Sequence, residues 1–207
     1  MGPSAIPECA DFSVPRALSV AEIEDLVSAF GRPAQRAFIA GFEIIEICGA
    51  HGYPIHSFFP PISNQRDDPF GGTVEKRMRF PLLVAEAVRE IWPADQPIFY
   101  RTSVVDSVPG GISVADTVLL AQGLKTRGVD LIDCSTGGMS GLTTLASVQI
   151  RPGSQVKNAA TVRAGASAMI QSADSRRRRA VRIWPHGTDR LHPPQRLRPQ
   201  AVGGDRR

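Results

Sequence analysis

The sequence predicts an α/β fold built on a parallel sheet. Three observations carry it. Helical and strand-like runs alternate along the first 140 residues, successive strands are separated by enough chain for a helical crossover, and each strand turns polar at its C-terminal end.

Residues 1–17 are punctuated by proline and read as a loop. Ser19 followed by Glu22 has the spacing of a capping box, and VAEIEDLVSAF then carries helical periodicity. Gly41 ends this helix, and FEIIEIC is a short β-rich run. A polar loop, SNQRDDPFGG, leads to a helix starting near Thr73, and PIFYRTSVVD is the next strand. Ser113 opens the helix VADTVLLAQGLKTRG, stopped by Gly128, and VDLIDCSTGG is the third strand. Side chains two apart in a strand share a face. Glu46 and Cys48 therefore pair on the first strand, Arg101 and Ser103 on the second, and Asp133 and Ser135 on the third. Polar groups converging at the C-terminal ends of parallel strands mark where α/β barrels and open sheets place their active sites.

Composition divides the chain. Residues 1–150 hold 11 Lys+Arg against 17 Asp+Glu, whereas residues 151–207 hold 13 against 3, so the overall +4 belongs to the C-terminal part. Beyond about Val156 the sequence is rich in Arg and Pro and poor in large aliphatics. It is expected to be a disordered basic tail, because it offers too little apolar surface to offset roughly 1–2 kcal/mol of backbone entropy per residue. The run RRRR at 176–179 invites contact with nucleic-acid phosphates, but a solvated charge run is the simpler reading. Three cysteines, Cys9, Cys48 and Cys134, form no evident disulfide framework, and no signal-peptide core or membrane span is apparent. The expectation is a cytoplasmic protein without membrane contact.

The segment EICGAHGYPIH sets Cys48, His51, Tyr53 and His56 within nine positions. Three readings stand for it. Cys48-x2-His51-x4-His56 suits a metal in residue type but shows no fourth ligand, so no metal is assigned. The histidines can simply hydrogen-bond a loop. Alternatively, two donors at a strand end with a phenol beside them stabilise negative charge on a substrate oxygen and deliver a proton.

The stretch AGFEIIEICGAHGYPIHSFFPPISNQRDDPFGGTVEKRMRF resembles the Old Yellow Enzyme family of FMN-dependent ene-reductases, particularly its bacterial NADPH dehydrogenase branch. The likeness covers about residues 2–140, from GPSAI to LIDCSTGG. It implies a TIM barrel, of which this chain carries about three βα units resembling the fourth to sixth. It also implies FMN and NAD(P)H as cofactors, with a hydride passing by way of FMN to the β-carbon of an electron-poor alkene. By that resemblance Cys48, Gly49, Ala50 and His51 form the substrate-binding segment, with Cys48 and His51 as the carbonyl donors. Tyr53 is the proton donor and Arg101 lies against the flavin pyrimidine edge. The partner is a small α,β-unsaturated carbonyl compound, and a homo-oligomer is compatible with the family. An ion pair between Arg101 and Glu46 is compatible with the flavin role. Arg66, Asp67, Arg77 and Arg79 are expected to brace the long loop, and Gly71-Gly72 to supply its turn.

Departures from the family pattern shape the remaining expectations. Cys48 stands where the first carbonyl-gripping histidine belongs, and a thiol is a weak donor. Pro54 starts a short helix. Pro33 and Pro81 fall inside helices, where each costs about 3 kcal/mol unless the helix accommodates it. Strands one to three, seven and eight of the barrel have no counterpart in the sequence, and the Arg/Pro-rich composition of the tail is what a shifted reading frame through GC-rich codons produces. The chain is thus expected to be a barrel segment over 1–150 with a tail over 151–207. It is expected to be a truncated and impaired flavin reductase, the alternative being a non-catalytic fragment that binds no flavin.

Overall fold

A computed structural model describes residues 1–7, 13–138, 153–167, 169–172 and 180–183. The chain runs α1 (Val20–Ile39), β1 (Ile44–Gly49), α2 (Pro54–Ser57), α3 (Val74–Arg89), β2 (Ile98–Ser103), α4 (Val114–Lys125), β3 (Leu131–Ser135), α5 (Val156–Ala166), β4 (Met169–Ser172) and β5 (Ala180–Ile183). The strands form one sheet in the order β4-β3-β2-β1-β5, with every neighbouring pair parallel.

The helix starts follow the local chemistry. Ser19 and Glu22 exchange both bonds of a capping box at α1, and Ser113 and Asp116 do the same at α4. Pro54 occupies the first turn of α2, where its missing N–H is no loss. Pro33 and Pro81 do lie inside α1 and α3. Each removes one backbone donor, and the helices persist because their apolar faces are held: Phe30, Ala34 and Ala37 on α1, and Phe80, Val84, Ala85 and Val88 on α3, are buried.

The sheet has two unlike faces. Ile45 and Ile47, Ile98 and Tyr100, and Ile132 and Cys134 join the helices in the main apolar core. Register alternation sends the other set away from that core: Glu46 and Cys48, Arg101 and Ser103, Asp133 and Ser135. This is the polar set expected from the sequence.

The loop before α3 is cross-linked by its own side chains. Arg66 donates to the carbonyls of Pro3 at 2.8 Å and Leu18 at 2.6 Å, and pairs with Asp68. Asn64 donates to the carbonyls of Phe58 and Phe70, at 2.6 and 2.7 Å. Arg77 reaches the Phe59 carbonyl at 2.8 Å, and the Arg79 guanidinium sits 5.2 Å from the centre of the Phe70 ring. The carboxylate serving Arg66 is thus Asp68; Asp67 had been expected among the braces.

Within the segment expected to be a basic tail, the described residues include α5, which leads into β4 beside β3. A stripe of small residues suffices here. Ala159, Val162 and Ala166, spaced three and four apart, are buried. Gly165 comes so close to α4 that a Cβ there would lie 2.6 Å from Val118 Cγ1. Gln122 and Lys125 of α4 donate to the carbonyls of Gly165 and Ser167 at 2.9 and 2.8 Å. Screening for large aliphatics misses a helix that docks by close approach. The arginine run at 176–179, Cys9 and residues 184–207 lie outside the described residues.

Candidate active site

The site is assembled at the C-terminal ends of β1, β2 and β3. Cys48, Arg101 and Asp133 are register partners across these strands, so their side chains form one row on the face away from the helices. Cys48 is buried. Arg101 Nε lies 3.5 Å from Asp133 Oδ2, with both side chains mostly covered. That contact is long for a hydrogen bond, and Arg101 Nε has no hydrogen-bond acceptor among the described residues.

One step further along the strands, Ser103 and Ser135 are register partners. Both bind His51. The His51 amide donates to Ser103 Oγ at 3.1 Å, and Ser103 Oγ in turn donates to the Gly137 carbonyl at 2.7 Å. The imidazole Nε2 lies 2.6 Å from Ser135 Oγ. A hydroxyl at that distance fixes the ring plane whichever partner donates. The backbone of Gly138 lies against that of His51: a Cβ at Gly138 would sit 2.2 Å from His51 Cα. His51 itself is left-handed, with φ 59°, and Gly52 follows at φ 78°. The chain therefore turns sharply where β1 ends, directly after Gly49 and Ala50.

Tyr53 emerges from this turn as the N-cap residue of α2 and is 43% exposed, while Ala50 before it and Ile55 after it are buried. His56, three residues on, points inward. Its Nδ1 accepts the Gly52 amide at 2.9 Å and its Nε2 lies 3.2 Å from Asp106 Oδ1, with both side chains fully covered. Cys134, on the helix-facing side, is a different kind of thiol from Cys48. Burial, followed by the Asp133 charge, pushes it up to about 12, so it stays protonated and inert.

The structure thus brings His51 together with Ser103 and Ser135, and Arg101 with Asp133, on one polar face. His56 turns its Nδ1 to the Gly52 amide and brings its Nε2 within 3.2 Å of Asp106 Oδ1. Asp106 was not singled out from the sequence. It sits beyond the strand end in a Ser/Gly/Pro loop, and the signal that finds it is tertiary.

Fold and site together define a segment of an α/β barrel with donors gathered at the strand ends. The sequence profile of the NADH:flavin oxidoreductase / NADH oxidase family matches residues 2–179, and the chain belongs to that family. The NADPH dehydrogenase of Bacillus cytotoxicus is 43% identical over 178 residues, covering 83% of this chain and 50% of its own. That of Geobacillus sp. (strain WCH70) is 45% identical over 163 residues, covering 79% and 46%. Among solved structures, 2-naphthoyl-CoA reductase in complex with 2-naphthoyl-CoA superposes with a TM-score of 0.76 at 26% identity, over 83% of this chain and 26% of that one. Morphinone reductase in complex with tetrahydroNAD gives 0.64 at 25% identity, over 83% and 48%. The chain spans about half the length of the curated relatives it matches. The family works with FMN and a nicotinamide nucleotide, and the barrel neighbours identify the sheet as part of a TIM barrel.

Proposed function

We propose that this chain carries the substrate-facing and flavin-facing segment of an FMN-dependent NADPH dehydrogenase of the ene-reductase type. The observation that supports it most is the gathering of Cys48, His51, Tyr53 and Arg101 around the ends of three parallel strands, with His51 braced from two of them. Arg101 fits FMN: a mostly buried guanidinium whose Nε has no acceptor among the described residues suits the electron-rich edge of a flavin pyrimidine. When bound, FMN would supply the redox chemistry between NAD(P)H and an alkene conjugated to a carbonyl, and Arg101 is the residue of this chain that would hold it.

The chain's own residues do the rest. His51 donates to the substrate carbonyl oxygen and stabilises the charge that grows there, with its ring held by Ser135. Cys48 is the second donor and the weaker one. Tyr53, half-exposed at the mouth, gives its phenolic proton to the α-carbon, so that a hydride and a proton together saturate the double bond. Asp133 lies beside Arg101, its Oδ2 3.5 Å from the guanidinium Nε.

The test is direct. The purified chain, incubated with FMN and desalted, should retain flavin absorbance and oxidise NADPH when a cyclic enone is added. A colourless protein after desalting sinks this reading and leaves the second one, a barrel segment that binds no flavin. The thiol at position 48, a weak donor where the family pattern has histidine, is the observation favouring a non-catalytic reading.

A further inference from the structure

His56 has no role in the chemistry just described, yet it is one of the most completely buried polar side chains among the described residues. Its surroundings fix its state. Nδ1 accepts the Gly52 N–H at 2.9 Å, so Nδ1 carries no proton and the ring is the neutral tautomer protonated at Nε2. Its Nε2 lies 3.2 Å from Asp106 Oδ1, a close contact that is not aligned as a hydrogen bond, while Asp106 Oδ2 accepts the Ile112 amide at 2.9 Å. The loop closes tightly on the carboxylate, since a Cβ at Gly111 would lie 2.6 Å from Asp106 Cβ. Asp106 is thus held by its own loop and packs its carboxylate against the His56 ring, which presents a fixed acceptor to Gly52.

Gly52 is the second of two successive left-handed residues, after His51. A left-handed conformation is costly for a histidine and persists where neighbours over-determine it. Three attachments do so: Ser103 on the His51 amide, Gly138 against the His51 backbone, and His56 on the Gly52 amide. Two of them hold His51, and the third acts on the residue next to Tyr53.

We propose that His56, backed by Asp106, is a positioning residue: it holds the His51–Tyr53 turn from outside the site and so aims the Tyr53 phenol. The functional half of this inference rests on the role proposed above for Tyr53. The geometric half does not.

The chain contains two tyrosines, so 3-fluorotyrosine labelling gives two fluorine resonances, one from Tyr53 and one from buried Tyr100 as internal reference. In the full ¹⁵N-labelled chain with FMN supplied, a scalar coupling across the hydrogen bond should connect the Gly52 amide nitrogen with His56 Nδ1. His56→Leu removes the acceptor and should shift the Tyr53 resonance while leaving Tyr100 in place. His56→Asn offers Oδ1 close to where Nδ1 stands and should restore the Tyr53 resonance. In turnover with an enone, His56→Leu should lower kcat by about 100-fold, as expected for a misplaced reacting group, with the flavin absorbance retained and His56→Asn recovering most of the loss. A proton found on Nδ1, or a Tyr53 resonance unmoved in His56→Leu, overturns the proposal. Should the leucine variant not fold, a Tyr53 resonance displaced in His56→Asn overturns it equally. A wild-type chain that keeps no flavin defeats the functional reading alone, and the coupling and fluorine signals still decide on His56.

Discussion

At the residue scale the site depends on a few donors of unequal strength. In the proposed reading Tyr53 gives the proton, so Tyr53→Phe should lower kcat by about 10²–10⁴-fold with flavin retention unchanged, read by steady-state reduction of an enone against the desalted absorbance. Cys48 is a poor partner for His51. Cys48→His should raise kcat/KM by about tenfold, the equivalent of one ordinary hydrogen bond, in the same assay. If the variant gains nothing, the position does not touch the carbonyl. The candidates Cys48, His51, Tyr53 and Arg101 can be named from the sequence, because a contiguous motif carries three of them and a strand end the fourth. Ser103 and Ser135 were legible as polar strand ends, but not as the two hydroxyls that fasten His51, since they lie 52 and 84 residues away from it.

At the element scale, α1 shows how local chemistry and tertiary support divide the work. Its N-terminus is a capping box extended by Arg16, whose guanidinium bonds to Glu22 at 2.6 and 2.9 Å. The Arg16 bond, then the Ser19 backbone and side-chain bonds, lower Glu22 from its usual value to about 2. A carboxylate depressed on folding adds stability above its unfolded pKa and loses it as pH falls through the folded one. The first turn of α1 should therefore loosen between about pH 4.5 and pH 2. Amide exchange at Glu22 should report this, and the pH dependence should vanish in Glu22→Gln. Farther along, Pro33 removes a backbone donor inside α1. Pro33→Ala should raise the unfolding free energy by up to about 3 kcal/mol in urea titrations, less if the helix is bent to suit the proline.

At the scale of the whole molecule, the sheet is held by helices on one face, and the polar site is built on the other. The docking of α5 on α4 carries the sheet beyond β3 to β4. Val162 is fully buried in that contact, and Val162→Ala should destabilise the chain by about 2–3 kcal/mol in chemical denaturation. Val162→Ala should leave the Tyr53 and Arg101 surroundings as they are, because α5 meets the sheet from the helix side. The long loop before α3 shows the opposite balance. Arg66 ties it back to Pro3 and Leu18, so the N-terminal residues are fastened through side chains rather than through the sheet, apart from the short bridge between Gly2 and Ala17.

The sequence by itself determined the alternation of helix and strand, the capped starts of α1 and α4, the polar ends of three strands and the motif of the candidate site. These follow from periodicity, capping and side-chain alternation, which act over a few residues. Tertiary structure alone decided that α5 forms and docks, that Asp68 serves Arg66, that two serines fasten His51, and that His56 turns inward to Asp106 instead of toward Cys48. Those outcomes depend on which distant groups arrive within 3–4 Å, and close approach between elements is set by the packed whole, not by any neighbouring stretch of chain.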